Sequence, residues 1–146
     1  MTEQILPMEV TRVPTQHITP HPDNARQGNT DLIAQSLEHN GQYRPLVVQT
    51  STGHVLAGNH TLAAAKALGW EQVAVQYLDV DDTAAKKILL ADNKTSDEAT
   101  YDEGLLARLL SDLGTTHGTG FTDEEADDLL AALEEQPDPT PLTPPP

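Results

Sequence analysis

Cysteine is absent from the 146 residues, which excludes a disulfide framework, a thiolate zinc site and a cysteine nucleophile. Aromatic residues are scarce, with one Trp, one Phe and three Tyr, so any core must be aliphatic. No apolar run approaches the roughly 20 residues that a helical membrane span needs. The N-terminus, Met-Thr-Glu-Gln-Ile, lacks the basic start of a signal peptide. The expectation is a cytoplasmic chain with no membrane partner. Basic residues are also few. Eight Lys and Arg stand against 23 Asp and Glu, for a formal net charge of −15. Proteins that grip DNA unaided cluster Lys and Arg to displace counterions from phosphates. Here only Lys86 and Lys87 adjoin, and no base follows Arg108. DNA contact is therefore expected to be weak or indirect, with room left for a small basic pocket.

What is present reads as one domain with a modest core. Residues 1–7 form a loose leader, and Met8 to Val13 alternates as a short strand. Ile18 to Arg26 is a proline-bearing loop that cannot be helical throughout. Asn29, Thr30 and Asp31 offer caps for a helix with Leu32, Ile33 and Leu37 on one face, ended by Asn40-Gly41. Pro45 to Gln49 and His54 to Ala57 are strands joined by a Thr50–Gly53 turn. A helix from Asn59 to Leu68 follows, then a half-buried strand with Val73, Val75 and Tyr77. Asp81-Asp82-Thr83 caps a further helix to about residue 94, and Tyr101 to Leu113 has the leucine spacing of another. These two helices suit a hairpin packed on the sheet. After a flexible break at 114–120 comes a very acidic helix, 121–135, and a tail with six prolines in residues 136–146. Strands early and helices late make an α+β fold with a helical C-terminal half.

The most informative stretch is Val55-Leu-Ala-Gly58-Asn59-His60-Thr61, followed by an alanine-rich helix. A strand that turns at Gly58 into a helix points backbone N–H groups and the positive end of a helix dipole at one spot. Two readings fit: an anion site suited to a nucleotide phosphate, or an ordinary turn with Asn59 as N-cap.

The series as a whole resembles the ParB N-terminal domain, the ParB/sulfiredoxin or ParB-like nuclease fold. The motifs that carry the likeness are Pro22-Asp-Asn24-Ala-Arg26, Tyr43-Arg-Pro-Leu-Val-Val48, Leu56-Ala-Gly-Asn-His-Thr-Leu-Ala-Ala-Ala-Lys66 and Ile88-Leu-Leu-Ala-Asp-Asn-Lys94. The likeness spans residues 8 to about 113 and is nearest to the branch found on phage genomes and fused to DNA methyltransferases, in which Tyr101-Asp102 also fits. It implies a short mixed sheet with flanking helices. It also implies a nucleoside triphosphate, CTP or ATP, bound with magnesium. Position by position, Gly58, Asn59, His60 and Thr61 would hold phosphate, while Asp92 and Asn93 would face metal and triphosphate. Arg26 and Arg44 would supply counter-charge. Magnesium favours carboxylate, amide and phosphate oxygens, and arginine's planar fork suits a triphosphate. Relatives self-associate when loaded, which makes a homodimer an expectation.

The departures are specific. His60 and Thr61 stand where chromosome-partitioning ParB has two arginines, and Ser96 stands where its second motif ends in Arg. Asn59 replaces the catalytic cysteine of sulfiredoxin, which excludes peroxiredoxin repair. An acidic helix follows where ParB has its helix-turn-helix, so centromere binding is not expected.

His60 could donate to phosphate or serve as general base, or it could simply be a capping or surface histidine. His21 sits in the loop expected to fold back on the box. Asp92, Asp97 and Glu98 fit either a metal for phosphodiester cleavage or a solvated helix end. The leading expectation is a regulator of DNA metabolism or slow NTPase, with His60 and Asp92 as the catalytic candidates. A metal-dependent nuclease on the same scaffold is the rival enzyme. A third reading is a non-enzymatic module that recruits a protein through residues 121–146.

Overall fold

Short runs of Val, Ile and Leu alternating with polar residues build one five-stranded sheet in the computed structural model, which describes residues 2–24 and 30–135. The chain divides into two compact units, residues 1–99 and 100–146. In the first, β1 (Val10–Pro14), β2 (Thr19–Pro20), α1 (Thr30–Asn40), β3 (Leu46–Gln49), β4 (His54–Ala57), α2 (Asn59–Ala67), β5 (Gln72–Leu78) and α3 (Asp82–Glu98) follow in order. The strand order is β1-β5-β3-β4-β2. β1 runs antiparallel to β5, and β3 antiparallel to β4. β3 runs parallel to β5, and β2 parallel to β4. The mixed sheet with flanking helices is the α+β arrangement expected. β2 is the element that the sequence hid, because two residues ending in proline carry no alternation to read.

The expected aliphatic core forms on one face, where Val48, Val55, Val73 and Val75 meet Leu37 of α1 and Leu62, Ala64 and Ala65 of α2. α1 and α2 pack on each other above it. Val55 and Leu56 are consecutive and both buried, so β4 is covered on both faces, with α3 packed against this strand. The buried positions of α3 are Ala85 and Leu89, and Asp81 caps it by accepting a 2.7 Å bond from the Ala84 N–H. Leu90 of α3 is exposed, as is Tyr77, which lies past the last β1–β5 pair of Val10 with Gln76. Where β3 has not yet begun, the Gln42 amide extends the ladder. Its Nε2 donates to the Ala74 carbonyl at 2.9 Å, and its Oε1 accepts from the Ala74 N–H at 2.9 Å.

The second unit holds α4 (Glu103–Leu113) and α5 (Asp123–Glu135), which pack together. α5 is thus a helical partner of α4 that the sequence did not suggest. The break at 114–120 is long enough to fold α5 back, and α5 supplies its own apolar positions. Asp102 caps α4 through a 3.0 Å bond from the Leu105 N–H. Thr122 and Glu125 form a reciprocal capping box on α5, with bonds of 3.1 and 3.0 Å. Tyr101 meets Phe121 edge to face at 5.7 Å. The aromatic-Asp pair of the resemblance therefore has a structural role in this unit. Among the described residues no helix is long and apolar enough to cross a membrane.

Candidate functional site

β2 and β4 run parallel, so their C-terminal ends deliver two segments to the same edge of the sheet: the loop from His21 and the turn at Gly58. Gly58 has φ +95°, and a Cβ there would lie 2.4 Å from Leu46 Cδ2. Both the backbone and the close approach of β3 require glycine. Helix α2 starts immediately after it, with Gly58 as N-cap and no side-chain cap.

Asn59 is the first helical residue, and its side chain is committed elsewhere. Oδ1 accepts from the His21 N–H at 3.0 Å, and Nδ2 donates to the Val55 carbonyl at 2.9 Å. The expected N-cap role is thus replaced by a clamp between the loop and β4. The first intrahelical bond runs from the Leu62 N–H to the Gly58 carbonyl at 2.9 Å. The N–H groups of Asn59, His60 and Thr61 precede it, and with no side-chain cap they form the positive end of α2. His60 adds a second unsatisfied group. Its Nε2 is shielded from solvent and has no hydrogen-bond partner among the described residues.

The loop is pinned from two sides. His21 is buried, its Nδ1 accepts from the Asp23 N–H at 3.0 Å, and its ring meets His54 edge-on at 5.2 Å. The His21 carbonyl accepts from the Asn24 N–H at 3.1 Å. Asn93 on α3 then donates through Nδ2 to Asn24 Oδ1 at 3.1 Å. Lys86 lies 3.6 Å from Asp23, but both are 60% exposed, so the pair contributes little. A chain of contacts therefore runs from the α2 start through residues 21–24 to α3.

Of the residues singled out from sequence, Gly58, Asn59, His60 and Thr61 are contiguous at the helix start, and Asn93 joins them through Asn24. Asp92 is exposed on α3 beside Asn93. Arg44 is exposed two residues before Leu46, the side chain that abuts Gly58. Arg26 lies outside the described residues, as does the tail 136–146. Sequence reasoning passed over Asn24 and His54. Asn24 stood inside the quoted loop motif, whereas nothing in the sequence marks His54, which arrives through the β2–β4 pairing of Thr19 with His54. Among the described residues no group of three or more His, Asp or Glu could hold a metal by itself.

A family model of the ParB N-terminal domain matches residues 1–94. A probable plasmid-partitioning protein ParB from Thermus thermophilus is 32% identical over 114 residues, covering 75% of this chain and 36% of that protein. A nucleoid occlusion protein from Oceanobacillus iheyensis is 32% identical over 79 residues, covering 51% of this chain and 28% of that protein. The chain spans about a third of the length of these curated relatives. Among solved structures, a C-terminally truncated chromosome-partitioning protein ParB from Caulobacter crescentus, complexed with CTP-gamma-S, is similar in fold. Its TM-score is 0.72 at 21% identity, over 89% of this chain and 81% of that one. The matched region holds the whole sheet, the Gly58–Thr61 turn and the loop that Asn59 clamps, and this chain belongs to the ParB N-terminal domain family.

Proposed function

We propose that this domain binds a nucleoside triphosphate, CTP first and ATP second, with its phosphates at the start of α2, and that occupancy regulates an assembly acting on DNA. The observation that carries this reading is the bare start of α2. With Gly58 as N-cap, the N–H groups of residues 59–61 have no side-chain cap, and the adjoining His60 has an Nε2 without a partner among the described residues. A phosphate there satisfies several donors at once and meets the helix dipole. The Caulobacter neighbour's complex with CTP-gamma-S supports CTP as the first ligand to test.

The roles follow from the contacts. The backbone of 59–61, the Thr61 hydroxyl and His60 Nε2 bind phosphate oxygens. Arg44, just before β3, supplies counter-charge, a role the family resemblance also gives to Arg26. Asn59 and Asn93 act by position, because their amides hold residues 21–24. Magnesium fits as an ion carried on triphosphate oxygens with Asp92 as a protein carboxylate, since it keeps water and phosphate ligands and does not need an all-protein cage. When bound, it supplies charge neutralisation between phosphates. In the alternative role as general base for slow hydrolysis, His60 gives up its phosphate bond and Nε2, unprotonated, accepts the proton of the attacking water. Because residues 21–24 bridge the box and α3, filling the box biases the position of α3, and through it self-association into a homodimer.

Calorimetric titration of CTP, ATP and GTP with magnesium tests the reading. Saturable binding lost in a His60→Ala/Thr61→Ala variant supports it. No binding by any of the three overturns it.

A further inference from the structure

The apolar residues of α4 divide into two sets. Ala107 and Leu110 are buried and Leu106 is half-buried, while Leu105, Leu109 and Leu113 are 51%, 55% and 59% exposed. Steps of four residues place these three along one slanting ridge of about 12 Å. On α5, Leu130 and Leu133 are also partly exposed, at 39% and 37%. An amphipathic helix hides its leucines against a partner, so a ridge left more than half open has none among the described residues.

The charge around this ridge states what the partner must be. Residues 100–135 hold ten Asp or Glu and one base, Arg108. Five of the acids fall within Asp123–Asp128, at the start of α5. A second copy would bring the same sign of charge to the contact, and a nucleic acid or an anionic membrane would be repelled. We infer that the Leu105–Leu109–Leu113 ridge of α4, carried on this strongly acidic unit, docks a cationic amphipathic helix of a partner protein. Apolar side chains at i, i+4 and i+7 on that helix would lie along the ridge, with Lys or Arg on its flanks facing the acids. This surface belongs to the second unit and does not rest on the nucleotide reading.

Fluorescence anisotropy with the full chain tests it, using a labelled 18-residue Leu/Lys peptide of amphipathic helical pattern and a scrambled peptide of the same composition. The patterned peptide is expected to bind about tenfold or more tighter than the scrambled one, because only it can bury a leucine stripe. A Leu105→Ser/Leu109→Ser variant is expected to lose about tenfold or more of that affinity with an unchanged circular dichroism spectrum, since both side chains are exposed. Raising salt from about 50 to 500 mM is expected to weaken binding further. Equal affinity for the two peptides, or no loss in the variant, would overturn the inference. So would a concentration-dependent dimer in sedimentation that the same variant disperses, because the ridge would then belong to a second copy.

Discussion

Replacing Asn59 with alanine removes both ends of the clamp that ties the loop at residues 21–24 to the core. The Oδ1 bond to the His21 N–H and the Nδ2 bond to the Val55 carbonyl are both lost. Each bond contributes about 0.5–1.5 kcal/mol, and a buried donor left without a partner costs about 1–3 kcal/mol. His21 is 6% exposed, so its N–H is not readily resolvated, whereas alanine's better helix propensity returns about 0.5 kcal/mol. The expected net loss is about 2–4 kcal/mol. For a unit of this size that is a fall in Tm on the order of 10 °C. Urea denaturation followed by circular dichroism reads the stability, and hydrogen exchange at the His21 amide reads the loop. Both should respond, with the amide exchanging faster than its neighbours in α2. A variant as stable as the parent, with an unchanged His21 exchange rate, would refute the clamp and return the Asn59 side chain to direct ligand contact.

Gly58→Ala should cost about 2–4 kcal/mol, from a positive φ and a Cβ driven against buried Leu46, and Leu46→Ala in the same chain should recover part of that loss. His60→Ala removes a shielded nitrogen that has no partner among the described residues, so stability should hold or rise by up to about 1 kcal/mol while triphosphate affinity falls about tenfold. The opposite pattern, a loss of stability with intact affinity, would remove His60 from the phosphate site. Arg44→Ala should weaken triphosphate binding with little effect on the melt, because the side chain is exposed; calorimetry and a thermal scan on the same sample check it. Chelating magnesium or making Asp92→Asn should weaken triphosphate binding together, and magnesium-dependent nicking of plasmid DNA that vanishes in Asp92→Asn would favour the nuclease alternative.

Much of the first unit was legible because its periodicities are local. The Asn40-Gly41 stop is read from one dipeptide, and Gly41 adopts φ +76° with its N–H bonded to Leu37. The Thr50–Gly53 hairpin and the Asp81 cap are equally local. The box was found for the same reason, as a glycine between an apolar strand end and an alanine-rich helix. The N-cap alternative for Asn59 failed because capping statistics describe a helix start in isolation, and Gly58 takes that position. The true partners of Asn59 are residues 21 and 55, and the first of these reaches it through the two-residue strand β2.

By itself, then, the amino-acid order determined where chain direction changes, which residues are aliphatic enough for the core, and that a glycine turn joins β4 to α2. Those properties depend on neighbours within a few residues, where backbone sterics and helix or strand period act. Only the tertiary structure decided that Asn59 clamps His21, that Asn93 reaches Asn24, that His60 Nε2 has no partner among the described residues, and that α4 buries Leu110 but leaves Leu105, Leu109 and Leu113 exposed. Each of these is a contact, or a missing contact, between segments that only the sheet topology and helix packing bring together. A sequence pattern can say that a side chain is apolar or polar, but its partner is chosen by the fold.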